Sequence, residues 1–389
     1  MSSMIRDRAA ASAEMLVIFG DQTLVRAALD FEGGLASAQA EEGLLSADEE
    51  TAIAGACASL TVDIETLAEE AAHAGTLAIP LVRRLRAKVS ETNPEAAKKI
   101  HLGATSQDLA DTALILQAKA GLALIERDLW RIAASLAALA ETHAETPMLG
   151  RTLLQAALPI SFGLKAANWL LGIDAALDRL RREGKTALVL QFGGATGSLA
   201  GLDGKAFAVA ERLATTFGLK CPAMHWQARR DGIAGLATAL AIVTGAVAKI
   251  ARDIALMAQG EIAEAFEPVI AGRGGSSAMA HKRNPTGCQV AISAALRTPG
   301  LAASILGALP QEHERGLGGW QIEGPVLADI FCLAHGAIEA MATVVEGLEL
   351  DTGRMRVNLS DACVGVDIGE SAALVRRALD HRRKSSPCS

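Results

Sequence analysis

The 389-residue sequence has no tyrosine, four tryptophans and eight phenylalanines, so rings make up 3% of a chain that is 50% hydrophobic. A core that large and that poor in rings must be filled with Ala, Leu, Ile and Val, which suits close-packed helices and argues against β-sandwiches and barrels. An excess of positive charge is also missing, because 37 Lys plus Arg face 44 Asp plus Glu for a net charge of −7. Without a basic field, neither nucleic acid nor a membrane is expected as a partner. The six cysteines (Cys57, Cys221, Cys288, Cys332, Cys363, Cys388) lie far apart, with no Cys-x-x-Cys pair and no His at zinc-ligand spacing. They are expected to be reduced, mostly buried thiols that hold no metal. Long apolar runs are lacking too: Ile233 to Ala248 spans 16 residues with two Gly and two Thr, short of the roughly 18–20 that cross a bilayer. Met15–Gly20 is too short for a secretory signal, and the expectation is a soluble, cytoplasmic protein.

What the sequence does have is helix seams. Leu122, Ile125, Leu129, Ile132, Leu136 and Leu139 alternate steps of three and four, the spacing of one helix face. Ile233, Leu236, Leu240, Val243, Val247, Ile250, Ile254 and Met257 continue that step long enough to predict a helix on the order of 40 Å. Further seams run Leu170–Leu180, Val326–Leu348 and Val290–Leu309. Five long helices predict an all-α protein with a central elongated five-helix bundle over 105–349. Residues 1–104 read as a more broken helical domain, and 350–389 as a short C-terminal segment with a disordered polar tail from His381. Alanines off the main stripe, such as Ala237, Ala241 and Ala248, leave more than one helix face wanting burial, which association of subunits would satisfy.

Three segments depart from this pattern. His101-Leu-Gly-Ala-Thr105-Ser106-Gln107-Asp108 reads either as a plain helix cap or as a helix start whose hydroxyls and amides hold a carboxylate. Gly150-Arg151-Thr152-Leu153-Leu154-Gln155 reads as an exposed segment or as a second helix start with donors for an anion. Gly272 to Pro285 contains three glycines, two serines and the run His281-Lys282-Arg283-Asn284 between two long helices, the composition of a lid or an anion cradle. It lacks the Gly-Lys-Ser/Thr of a P-loop. Phe192-Gly-Gly-Ala-Thr-Gly197 fits no dinucleotide fingerprint and is expected to be a turn.

Gly275-Ser-Ser-x-Met-x-x-Lys-x-Asn-Pro285 strongly resembles the signature loop of the fumarase/aspartase superfamily. The other two segments resemble its remaining motifs in order and spacing, over roughly residues 10–350. The resemblance implies a three-domain all-α fold and a homotetramer whose active sites are each assembled from several chains. Within the superfamily, Ala74–Val82, Trp226–Asp231 and Gln311–Trp320 look like the cycloisomerase branch, which closes 3-carboxy-cis,cis-muconate to a lactone. That likeness implies a small tricarboxylate substrate and no cofactor or metal. Carried over position by position, it makes Ser276 the proton-transfer residue, with Lys282 and Asn284 at the reacting carboxylate. Thr105, Ser106, Arg151, Thr152, Gln155, His281 and Arg315 would bind the substrate's remaining carboxylates. Two departures occur together: the relay His that follows Thr in the second motif is Leu153, and the Glu that pairs with it is Gln289. Ala280 also stands where the loop usually has Pro. The competing readings are an adenylosuccinate-type lyase and a non-catalytic structural member.

Overall fold

The computed structural model describes residues 4–275, 278–279 and 282–385. Seven helices open the chain: α1 Met4–Arg8, α2 Ala13–Ile18, α3 Asp21–Glu41, α4 Ala47–Ser59, α5 Ile64–Ala74, α6 Ala78–Ser90 and α7 Pro94–Lys99. Their short lengths follow from local signals. Ser46 and Glu49 form a reciprocal capping box at the start of α4, Asp63 caps α5, and Gly75 ends it in the left-handed region, where a Cβ would be strained.

The long helices follow: α8 Ser106–Thr142, α9 Phe162–Ala187, α11 Asp231–Met257, α12 Thr286–Gly307 and α13 Gly319–Glu346, with the shorter α10 Ala206–Phe217 between α9 and α11. The predicted seams are the buried faces. Leu122, Ile125, Leu129, Ile132 and Leu136 on α8 and Ile233 through Met257 on α11 lie in one continuous apolar core with α9, α12 and α13. A second core joins α3–α7 to the first turns of α8 and to α10. Close approach needs small residues: a Cβ at Gly121 of α8 would come within 2.9 Å of the Phe331 ring on α13. Cys57, Cys288 and Cys332 are buried free thiols, Cys221 is half-buried and Cys363 exposed, whereas Cys388 lies outside the described residues. Burial pushes the Cys57 and Cys332 thiols up to about 12.

Two expectations need correction. Gly150–Gln155 starts no helix: Pro147–Thr152 (β1) and Gln155–Ser161 (β2) form an antiparallel hairpin. Pro147 and Pro159 disfavour a helix interior there, and Leu153 and Leu154, both at positive φ, make the two-residue turn. A smaller pair, β3 Ala265–Phe266 with β4 Glu349–Leu350, closes the same end of the bundle. Nor does the chain lose order at His381. After α14 (Thr352–Ala362), α15 runs Ser371–Ser385, burying Val375, Ala378 and Leu379. Arg382 pairs with Asp174 and lies over the Trp130 ring. Its polar run is the exposed side of an amphipathic helix, and of the expected tail only residues 386–389 fall outside the described residues.

By length and composition α11, α12 and α13 could each cross a membrane, contrary to the run-length argument, which stopped at polar interruptions that a mean hydropathy tolerates. α11 and α13 bury 61% and 72% of their most apolar windows within the chain, but α12 only 28%. The surface of α12 includes Leu296, 71% exposed.

Candidate active site at the two ends of the bundle

The start of α8 is braced from several distant segments of the chain. Thr105 is the N-cap, and its amide donates to Asp108 Oδ2 at 3.0 Å. The Asp108 carboxylate also accepts the Gly193 and Gly194 amides at 3.1 and 2.8 Å and Gln227 Nε2 at 3.0 Å. One buried side chain thus ties the helix start, the Gly193–Gly197 turn and the Trp226–Asp231 segment together. One turn on, Asp111 receives both Arg230 Nη atoms at 2.7 and 2.9 Å and Trp320 Nε1 at 2.9 Å. Glu323 neutralises the other side of the fully buried Arg230 guanidinium.

This bracing delivers Arg315. Trp320 anchors the Gln311–Trp320 segment, and Arg315 Nη1 donates to Thr105 Oγ1 at 2.8 Å, with its Nε 3.3 Å from Gln107 Oε1. Thr105, Ser106 and Arg315, all half-buried, therefore form one group. Two residues overlooked in the sequence join it. Gln227 Oε1 and His225 Nδ1 are buried without a hydrogen-bond partner, and burial holds the His225 imidazole below its usual range, hence neutral. His225 packs against Gly193 and Gly197, where a Cβ at Gly197 would meet its ring. The glycines of that turn, set beside the flagged Trp226 segment, were the available signal.

Asp108 carries a testable pH signature. Burial pushes its carboxyl up to about 7, above an unfolded value near ~3.9. The native state therefore holds its proton more tightly, so the contribution to stability is full below about 4 and is lost as pH rises through about 7. Asp108→Asn should remove this slope from the pH dependence of the urea midpoint. It should also cost about 1–3 kcal/mol by turning an amide N–H toward converging donors. Equal slopes in variant and wild type would refute the assignment.

The remaining expected residues lie elsewhere. α8 has 37 residues, roughly 55 Å of helix, and the β1–β2 hairpin follows its far end. Thr152 and Gln155 are exposed there. Arg151 is not a free donor: its two Nη atoms each lie 2.8 Å from an oxygen of the fully buried Glu264, whose charge needs that partner. The loop before α12 shares this end. Arg283 lies 3.1 Å from Glu349, and the Asn284 amide closes the loop onto the Gly274 carbonyl at 2.8 Å. Lys282 is exposed and Asn284 half-buried, whereas Ser276 and His281 lie outside the described residues. Arg315 sits beyond the opposite end of the 22-residue α12, about 33 Å of helix away. Leu153, at the hairpin tip, is 96% exposed, and Gln289 is exposed on the first turn of α12. Among the described residues no group of three or more His, Cys, Asp or Glu is placed to hold a metal ion.

The expected site residues of one chain therefore fall into two candidate half-sites, the Thr105–Arg315 group at one end of the bundle and the signature loop with the hairpin at the other. Comparison with known proteins gives this division a context. The lyase family profile matches residues 8–300. The 3-carboxy-cis,cis-muconate cycloisomerase of Bradyrhizobium diazoefficiens is 46% identical over 92% of this chain and 80% of its own length, and that of Pseudomonas aeruginosa 45% over 94% and 80%. The crystal structure of the 3-carboxy-cis,cis-muconate lactonizing enzyme from Pseudomonas putida superposes with a TM-score of 0.87 at 40% identity, covering 97% of this chain and 87% of that one. The sequence motifs, the helical architecture and these matches over nearly the whole chain agree, and the chain belongs to the lyase family, within the fumarase/aspartase superfamily.

Proposed function

We propose that the chain is an isomerase that closes 3-carboxy-cis,cis-muconate to 4-carboxymuconolactone, an intramolecular lyase reaction of aromatic catabolism. The observation that carries this reading is the Leu153 turn. An exposed leucine occupies the hairpin tip where a relay histidine would sit, and its Glu partner is Gln289. A departing hydroxide or amine benefits from protonation, whereas a carboxylate with a pKa near ~4 leaves as the anion. Lactonisation is that step reversed, with one substrate carboxylate oxygen adding to a carbon–carbon double bond. Electrons pass onto a neighbouring carboxylate as an aci-carboxylate, and a proton then reaches the adjacent carbon.

In this reading Lys282 and Asn284 stabilise the aci-carboxylate, as preorganised donors do for developing negative charge, and Ser276 delivers the proton. Thr105, Ser106 and Arg315 hold another carboxylate, while Thr152, Gln155 and His281 contribute from the hairpin and loop. The half-sites of one chain lie too far apart to share a substrate, so the active unit is a homotetramer in which ends of different chains meet. The uncovered apolar side of α12 supports such an assembly, and the apolar faces that α11 and α13 bury in the bundle support a cytoplasmic rather than a membrane-spanning protein.

Mixing purified protein with 3-carboxy-cis,cis-muconate should bleach the conjugated-diene absorbance in proportion to enzyme, while adenylosuccinate, argininosuccinate and malate stay intact. The double change Leu153→His with Gln289→Glu should leave lactonisation unchanged or slower. Cleavage of adenylosuccinate, argininosuccinate or malate as efficient as diene loss would overturn the assignment in favour of an eliminating lyase.

A further inference from the structure

The Trp226–Asp231 segment has a second face. Two of its residues, Gln227 and Arg230, hold Asp108 and Asp111, whereas Trp226 and Arg229 line a cavity of about 390 Å³ between the end of α9, the chain after α10 and the first turn of α11. Its charged lining is Lys185, Lys220, Arg229 and Asp231. Arg229 Nε lies 3.5 Å from Asp231 Oδ1, while the side-chain ammonium groups of Lys185 and Lys220 have no carboxylate or hydrogen-bond partner among the described residues. The cavity therefore keeps two uncompensated positive charges contributed by two separate elements. Apart from Thr186 and Gly232, the rest of its wall is apolar: Val189, Pro222 and Ala223 face it openly, and the buried Ala187, Ile233 and Trp226 reach it by an edge. That ring is held rigidly, because its Nε1 donates to the Leu190 carbonyl at 3.0 Å and the Arg230 guanidinium lies 4.5 Å from its centroid.

We infer that this cavity binds a small planar carboxylate carrying two or more charges, at a place separate from the catalytic half-sites. The two lysines supply charge for two carboxylate groups. Val189, Pro222 and Ala223, backed by the fixed edge of the indole, supply an apolar surface that a flat conjugated or aromatic body fills and that inorganic phosphate leaves unused.

Isothermal titration calorimetry of the whole protein with benzene-1,3,5-tricarboxylate, a flat tricarboxylate with no chain double bond to lactonise, tests this directly. The expected result is binding with a dissociation constant of about 1 mM or tighter, persisting in Arg315→Ala. It should weaken at least tenfold in Lys185→Ala/Lys220→Ala, a change of two exposed side chains that leaves diene turnover in the absence of the tricarboxylate unaltered. Inorganic phosphate should bind at least tenfold more weakly. No binding, equal affinity in the lysine double variant, loss in Arg315→Ala alone, or phosphate binding as tight as the tricarboxylate would each overturn the inference.

Discussion

Lys282→Ala is expected to lower turnover of 3-carboxy-cis,cis-muconate by about 10²–10³-fold, the range seen when a donor to a developing oxyanion is removed. Ser276→Ala should lose roughly 10²-fold or more, as loss of a proton-transferring group does. Lys282 is exposed on a loop whose backbone is closed by Asn284 onto Gly274, so its truncation removes charge without opening the core. Neither change should move the urea midpoint. Steady-state kinetics beside urea unfolding separates the outcomes: near-normal turnover in Lys282→Ala would remove the loop from the chemistry, and an altered midpoint would make its role structural.

Mixing two dead variants should restore activity. Ser276 belongs to the loop before α12 and Arg315 to the opposite end of that helix, so a site built from several chains draws them from different subunits. Ser276→Ala and Arg315→Ala subunits, unfolded together and refolded at equal ratio, should regain about a quarter of wild-type activity by random assortment. Light scattering of the same sample should give about four times 40.2 kDa. A stable, active monomer would refute the shared site, as would a mixture no more active than its components. Arg151→Ala makes a poor partner in this test, because it strands the buried Glu264 charge, at a cost of roughly 3–5 kcal/mol.

Periodic and strictly local features were legible in the chain itself. The Leu122–Leu139 and Ile233–Met257 seams mark α8 and α11 because a 3.6-residue turn stacks those positions on one face whatever they later pack against. The Thr105–Asp108 cap was legible because both partners lie within one turn. The hairpin at Gly150–Gln155 was not, since Arg, Thr and Gln suit either a helix start or a turn, and the choice falls to prolines whose effect depends on which residues pair across the strands. The C-terminal helix was missed because its few apolar residues gain their burial only against distant parts of the chain, α9 first and then α8 and β2.

The sequence by itself determined that this is a helical protein of the fumarase/aspartase kind, because residue types and short-range spacing suffice for that, and its resemblance to that superfamily puts Leu153 and Gln289 where a relay pair is expected. Only the tertiary structure decided that Glu264 occupies Arg151, that Arg315 reaches Thr105, that Gln227 and His225 offer unpaired atoms beside them, and that the candidate half-sites of one chain lie at opposite ends of its bundle. Those relations join residues from dozens to more than two hundred positions apart. They arise from how long helices of particular length run antiparallel, and no local pattern of residues encodes that.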